Sequence, residues 1–319
     1  MRENDADSMQ NCAITDGRAG NARQADALGA ALPGNCTAFT LVPHSPWRWA
    51  APRRWLGAER AYGAAFTALL DAPPAIAVGC GRQAALATRL LRERGAKAVQ
   101  ILNPRLDPSH WDLIIVPEHD RLHGPNVITT LGSLHPIDDI WLARARADFA
   151  AFADLPRPIN AVLLGGTSRH ARFDRMAFEV LASKLEAVLA REGGSVLLTA
   201  SRRTPKELLD ALKHRYDDTP GAVWRDNHDG PNPYGGMLAW ADRIVCSPDS
   251  VNMITEASAT RVPVFVFDPG RVRGRPRMFI DTLIERGRIR AMDARLNAFD
   301  VEPLRETARI AAMATERLS

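Results

Sequence analysis

The sequence predicts an α/β chain folded as two Rossmann-like, doubly wound domains facing a cleft. Three observations predict this. The chain has 319 residues, more than one hydrophobic core tends to serve. Short apolar runs alternate with amphipathic stretches, the pattern of βαβ units and a parallel sheet. The alternation pauses once, at Asp154-Leu155-Pro156-Arg157-Pro158, where two prolines in a short polar stretch favour an extended connector. The expected domains are residues 1–153 and 154–319.

In the first domain, residues 12–15 read as a strand, 21–31 as a helix and 37–42 as a second strand. Residues 60–70 read as a helix and 75–78 as a third strand. Residues 82–94 form a helix with Leu86, Leu90 and Leu91 on one face. Strands follow at 98–102, 113–116 and 127–129, then a helix over 138–152. In the second domain, residue 159 opens a strand to 164, followed by a Gly-rich turn and a helix over 176–191. Residues 195–199 are a strand, and 205–212 a helix with Pro205 in its first turn. A short strand at 222–224 and a short helix at 234–240 follow. Residues 243–246 are a strand, 250–259 a helix and 262–267 a strand. A helix over 302–318 closes the chain and is expected to pack back on the first domain.

Composition is that of a globular chain, with 46% hydrophobic and 24% charged residues. Only the polar start, residues 1–10, reads as disordered. The net charge of +4 suits an anionic small molecule, an anionic membrane surface or nucleic acid. No nucleic-acid-binding motif is present, and no nucleic acid is expected as a partner. The four cysteines, Cys12, Cys36, Cys80 and Cys246, form no C-x-x-C pair, which disfavours zinc and thioredoxin-type sites and leaves buried free thiols. The start lacks the pattern of a signal peptide. No apolar run approaches the roughly 20 residues of a membrane-spanning helix. A cytoplasmic protein is expected, at most peripheral on the inner membrane face.

Several motifs sit where strands end. Leu163-Leu164-Gly165-Gly166-Thr167-Ser168-Arg169-His170 is an apolar strand ending in two glycines and two hydroxyl residues. Glycines admit a ligand close to the backbone, and free N–H groups attract phosphate. A plain turn is the competing reading. In Cys246-Ser247-Pro248-Asp249-Ser250-Val251-Asn252, Ser250 is a good N-cap and the Val251 and Asn252 amides would meet an anion. Glu256, about two turns in, could accept hydrogen bonds from a ribose diol. A solvent-facing glutamate is the commoner fate. Thr15-Asp16-Gly17-Arg18-Ala19-Gly20-Asn21, with Gln24 one turn later, is a polar strand-to-helix loop suited to a ligand group. Pro117-Glu118-His119-Asp120 offers His119 as a general base, with Asp120, Glu118 or Asp16 to orient or replace it; His135 is a weaker candidate. Trp47, Arg48, Trp49, Arg53, Arg54 and Trp55 interleave rings with cations, as at a membrane interface, or as aromatic packing with arginines reaching outward. Arg202 and Arg203 could neutralise a diphosphate, and Asn232-Pro233-Tyr234-Gly235-Gly236 is a turn that could border the base or sugar.

The run 243–250, followed by Thr255-Glu256-Ala257 and Val262-Pro263-Val264-Phe265-Val266, resembles the nucleotide-sugar motif of GT-B glycosyltransferases. In that motif a helix-borne glutamate binds the ribose hydroxyls, which implies this role for Glu256. The resemblance places Gly165 and Gly166 on the phosphate-side loop and the Asp16–Asn21 loop on the acceptor side. The whole chain resembles the mitochondrial fission Elm family. The resemblance is carried by Thr15-Asp16-Gly17-Arg18-Ala19-Gly20-Asn21 with Gln24, Asn103-Pro104-Arg105, Pro117-Glu118-His119-Asp120, Leu164-Gly165-Gly166, and Ser247-Pro248-Asp249-Ser250 with Glu256. Plant members of that family are linked to recruitment of a dynamin-related fission protein.

The expected function is a GT-B type glycosyltransferase using a nucleotide-diphosphate sugar, UDP-linked, as substrate and no cofactor or metal. The sequence does not name the acceptor; a lipid-linked one would suit the aromatic and basic segment 46–56. His119, Asp16 and Asp120 are the expected catalytic groups. Gly165, Gly166, Thr167, Ser168, Arg202, Ser250, Val251, Asn252 and Glu256 are the expected donor-binding residues. Gly17, Arg18, Gly20, Asn21 and Gln24 are the expected acceptor-side residues. A sugar-nucleotide epimerase with paired carboxylates, or a non-catalytic scaffold that recruits a partner, would use the same fold.

Overall fold

A computed structural model describes residues 9–212 and 214–319. Residues 1–8, most of the polar start expected to be disordered, lie outside the described residues. The chain divides into two compact units, Met1–Pro136 with Glu306–Ser319, and Ile137–Arg305. The division falls at 136/137 rather than at 153/154. The reason is the helix Asp139–Asp148, which packs on the helix Tyr234–Trp240 of the second unit. Gly235 and Gly236 let the two come close: a Cβ on Gly236 would lie 2.5 Å from the Phe149 ring, and one on Gly235 3.3 Å from Trp141.

The first unit carries strands β1 Gln10–Thr15, β2 Asn35–Thr40, β3 Ile76–Cys80, β4 Lys97–Ile101, β5 Leu113–Pro117 and β6 Val127–Thr130. All pair in parallel, in the order β2-β1-β3-β4-β5-β6. Helices α1 Ala19–Ala31, α2 Ala64–Asp71 and α3 Arg82–Arg92 connect them. The inner strands β3 and β5 are buried at every residue, as expected of a parallel sheet covered on both faces. Alternate side chains serve opposite faces: Cys12, Ile14 and Ala77 join the core with Leu86 and Leu90 of α3, and Ala13 and Val78 join the core with Leu28 of α1. That second core also takes Ile310, Ala311, Ala314 and Leu318 from the last helix, Thr307–Leu318. The closing helix therefore belongs to the first unit, and it starts at Thr307 rather than at 302.

The second unit begins with α4 Asp139–Asp148, capped by Asp138, whose carboxylate accepts from the Trp141 amide at 2.7 Å. Its strands are β7 Ile159–Leu164, β8 Ser195–Ala200, β9 Gly221–Trp224, β10 Arg243–Cys246, β11 Val264–Val266 and β12 Ile289–Ala291, ordered β12-β11-β10-β7-β8-β9 and parallel. Helices α5 Arg175–Glu192, α6 Lys206–Leu212, α7 Tyr234–Trp240, α8 Val251–Ser258 and α9 Arg275–Glu285 connect them. α5 is capped by Asp174 and buries Phe178, Leu181, Leu185 and Val188 on one stripe. The sequence pattern missed α9 and β12: α9 opens in an Arg- and Gly-rich run with Pro276, and β12 is three residues at the sheet edge.

In each unit the strand order reverses once, at β1/β3 and at β7/β10. Such switch points are where open α/β sheets bind ligands, beyond the strands' carboxyl ends.

Candidate functional site

At the β7/β10 switch point, loops after three strands lock together. Gly165 N–H donates to Ser247 Oγ at 2.7 Å, and Gly166 N–H donates to Asp249 Oδ2 at 3.0 Å. Ser247 Oγ donates to Asp249 Oδ1 at 2.7 Å, and Arg203 Nη2 donates to Asp249 Oδ2 at 2.7 Å. Thr204 Oγ1 donates to the Gly165 carbonyl and accepts from the Ser201 amide at 2.9 Å. The glycines are required by closeness. A Cβ on Gly165 would stand 2.3 Å from both Asp249 carboxylate oxygens, and one on Gly166 would stand 2.0 Å from the Arg203 carbonyl oxygen.

This arrangement changes the part played by the Gly-rich loop. The Gly165 and Gly166 amides, expected to face phosphate, are engaged by Ser247 and Asp249. The hydroxyls of the same loop are engaged too. Thr167 Oγ1 bonds both the carbonyl and the amide of Phe173, and Ser168 Oγ accepts from the His170 and Ala171 amides. Gly165, Gly166, Thr167 and Ser168 thus spend these groups on holding the loops together. Arg202 is exposed, and its neighbour Arg203 makes the ion pair. Ser247, Asp249 and Thr204 are not among the expected donor-binding residues, and Arg203, expected to meet a diphosphate, pairs with Asp249 instead; the polar run after β10 is the signal that could have found Ser247 and Asp249.

Next to this clasp, α8 starts. Ser250 caps it, its Oγ accepting from the Met253 amide at 3.4 Å. The amides of Val251 and Asn252 lie in the first turn, where a helix supplies no internal acceptor. Two turns in, Glu256 is only 2% exposed, which excludes the solvent-facing glutamate. Tyr234 Oη donates to its Oε2. At the other end of α8, the buried Arg288 guanidinium donates to the carbonyls of Ser258 and Thr260, each at 2.9 Å. Burial lowers the Arg288 pKa to about 10, so it stays charged at neutral pH. Burial, reinforced by Asp249 and Glu256, pushes the Cys246 thiol up, which leaves it protonated and unsuited to nucleophilic work.

In the first unit, Asp16 directly follows β1 at the other switch point. It accepts from Asn21 Nδ2 at 3.0 Å and the Arg18 amide at 3.2 Å. Arg18 itself points to solvent, with its Nε 3.5 Å from Asp16. Gly17 takes a left-handed φ of 75° in this turn. Gly20 lies in the first turn of α1, and the buried Gln24 donates back to its carbonyl at 3.2 Å. Gly81, after β3, meets Asn21: a Cβ there would stand 2.6 Å from Asn21 Nδ2. His119 and Asp120 share one 3-10 turn after β5, both half-buried. β1 and β5 are three places apart in the sheet, about 14 Å at strand spacing. Asp16 therefore does not orient His119 directly, and the expected catalytic trio splits into two groups. His135 is buried, its backbone paired with Thr307 Oγ1.

The aromatic segment forms a single helical turn, Trp47–Ala50, and a loop. Trp47 is half-buried and donates from Nε1 to the Leu56 carbonyl at 3.0 Å. Trp49 is 74% exposed, Trp55 58% and Leu56 94%. Arg48 and Arg53 are exposed, whereas Arg54 is held by Glu59 and Glu93 at 2.7 and 2.9 Å. No helix among the described residues is long and apolar enough to cross a membrane.

The family model described as "Mitochondrial fission ELM1" matches residues 19–318. The Arabidopsis thaliana mitochondrial fission protein ELM1 is 30% identical over 277 residues, 77% of this chain; the match spans 64% of that relative's length. Among solved structures, a UDP-GlcNAc 2-epimerase from Methanocaldococcus jannaschii in complex with UDP-GlcNAc and UDP is similar with a TM-score of 0.54 at 12% identity, covering 97% of this chain and all 100% of that one. MurG of Acinetobacter baumannii is similar with a TM-score of 0.50 at 11% identity, covering 97% of this chain and 91% of its own. At such identities the likeness establishes the fold, which is GT-B type.

Proposed function

The chain belongs to the mitochondrial fission ELM1 family, and from that premise we propose that it is a glycosyltransferase taking its sugar from a nucleotide diphosphate, UDP-linked. The observation that carries this reading is Glu256: a carboxylate buried to 2% exposure, two turns into the helix that follows the switch-point strand β10. An ionised carboxylate is an acceptor-only group, and ribose hydroxyls are donors of the right kind. The diphosphate would lie against the first-turn amides of α8, capped by Ser250, with Arg202 free to approach it. The Gly165-Gly166 clasp fixes the loops that surround it. UDP-GlcNAc and UDP, bound by the structurally similar epimerase, support the choice of nucleotide.

In the transfer, the acceptor's hydroxyl oxygen bonds to the anomeric carbon. The bond from that carbon to the phosphate oxygen breaks, and its electron pair leaves with the diphosphate. The acceptor's proton passes to His119. Asp16, with Gly17, Arg18, Gly20, Asn21 and Gln24, recognises the acceptor. No cofactor or metal is required by this scheme, since amides and arginine carry the countercharge.

Thermal shift against UDP-, GDP- and CDP-sugars tests the reading. Stabilisation by a UDP-sugar, with UDP released when acceptor is added, is the expected result. Conversion of the sugar without release would make the protein an epimerase. Indifference to every nucleotide would leave the non-catalytic scaffold that recruits a partner.

The exposed Trp49, Trp55 and Leu56, flanked by Arg48 and Arg53, would seat the protein on the cytoplasmic face of an anionic membrane, where a lipid-linked acceptor resides. Trp47 pins that loop from within. A Trp49→Ser/Leu56→Ser variant should lose about tenfold or more in affinity for phosphatidylglycerol vesicles. Equal sedimentation of variant and wild type with the vesicles would exclude this surface.

A further inference from the structure

Glu256 does not stand alone in its burial. Tyr234 Oη donates to Glu256 Oε2 at 2.5 Å, and the phenol reaches it from a different element, the first residue of α7. That residue is held in place twice. Its amide donates to Asn232 Oδ1 at 3.0 Å, an Asx-type cap at the helix start. Two residues on, Gly236 is pressed so closely on the Phe149 ring that a Cβ would come within 2.5 Å, so the turn carrying Tyr234 cannot slide along α4. Tyr234 itself is half-buried, and Glu256 is buried. A glutamate side chain has three rotatable bonds and no rotamer preference strong enough to aim it unaided. An O–H donor to a carboxylate is among the stronger hydrogen bonds.

We propose that Tyr234 is a positioning residue for ribose recognition: its phenol, delivered from α7 to Glu256 on α8, selects the carboxylate rotamer that accepts the ribose hydroxyls. This rests on the donor-site reading of Glu256. Because Oε2 already accepts the phenol, the carboxylate is aimed before any ligand arrives. Recognition then depends on a preset direction rather than on a floppy acid. The short sequence Asn232-Pro233-Tyr234-Gly235-Gly236 follows from this role: Asn232 caps, Pro233 turns, Tyr234 aims, and the glycines let α7 seat on α4.

The test is equilibrium binding of UDP and of 2′,3′-dideoxy-UDP to the full chain. The wild type should prefer UDP by about tenfold or more, the worth of well-aimed hydrogen bonds to a charged group. Tyr234→Phe, which keeps the ring and its packing, should shrink that preference to roughly threefold or less, while affinity for the dideoxy nucleotide changes little. A Glu256→Gln variant should lose the preference, and adding Tyr234→Phe to it should cost nothing further, because the phenol acts through the carboxylate. Tyr234 serving only the fold would weaken both nucleotides alike and leave the ratio intact, and that result overturns the inference while the donor reading stands. A wild type that binds UDP with no ribose preference, or binds neither nucleotide, overturns the Glu256 reading and the inference with it.

Discussion

Gly166→Ala should lower the midpoint of thermal unfolding by on the order of 10 °C. The added Cβ would lie 2.0 Å from the Arg203 carbonyl oxygen and 2.5 Å from its carbonyl carbon. Real contacts of this kind need more than 3 Å, so one backbone must retreat by an ångström or more. Neither can do so cheaply. The Arg203 backbone lies in a turn closed by the bond from the Thr204 amide to the Ser201 carbonyl and by the bond from the Ser201 amide to Thr204 Oγ1, both 2.9 Å. Thr204 is tied in turn to the Gly165 carbonyl. On the other side, Gly166 N–H is committed to Asp249. Overpacking against backbone costs about 3 kcal/mol or more, and at roughly 2–4 °C per kcal/mol for a unit of this size the shift is easily read by calorimetry. A midpoint within about 2 °C of the wild type would mean that the loops yield, and the clasp would lose its claim to rigidity.

The fold was legible because both sheets are parallel and covered on both faces. Strands such as β7 and β8 are apolar along most of their length, and helices such as α5 show their buried stripe openly. β7, α7 and β10 match the sequence expectation at both ends. The elements that escaped are those whose reasons lie elsewhere in the chain. β12 exists because β11 offers an edge, and α9 starts in a run whose arginines and glycines carry no periodicity. The domain boundary was misplaced for a similar reason. Prolines mark a bend in the chain, whereas the division depends on which helix α4 rests against, and that contact is made by Gly235 and Gly236 almost a hundred residues away. The site divides in the same way. Glu256 and Ser250 could be picked from the strand–turn–helix pattern. What the glycines of the β7 loop touch could not, since a strand ending in two glycines reads alike whether its amides await a phosphate or are already satisfied by Asp249. Distance between strand ends is equally invisible in one dimension, which is why Asp16 and His119 were grouped although three strand places separate them.

Asp249→Ala should be comparably damaging and should also remove nucleotide binding. The Asp249 side chain is fully buried and gathers three donors from three segments: the Gly166 amide, Ser247 Oγ and Arg203 Nη2. Removing it leaves the amide and the hydroxyl without this acceptor in a buried place, at about 1–3 kcal/mol for each group that finds no water. Arg203 contributes less, because its side chain is 47% exposed and solvent can take over its charge. The sum is about 3–5 kcal/mol, with Ser247 as the amplifying element: it gives its proton to Asp249 while accepting from Gly165, so loss of the carboxylate frees it to turn away from Gly165 as well. Asp249→Asn separates charge from shape. The carboxamide can still accept on one side, but its NH2 must face either the Gly166 amide or the Ser247 hydroxyl, so roughly half the loss is expected. If the clasp builds the donor site, stabilisation by UDP-sugars should disappear in the alanine variant even at temperatures where it remains folded. A folded Asp249→Ala protein that still responds fully to nucleotide would show that the loops after β7 and β10 hold the sheet's edge without shaping the ligand's seat.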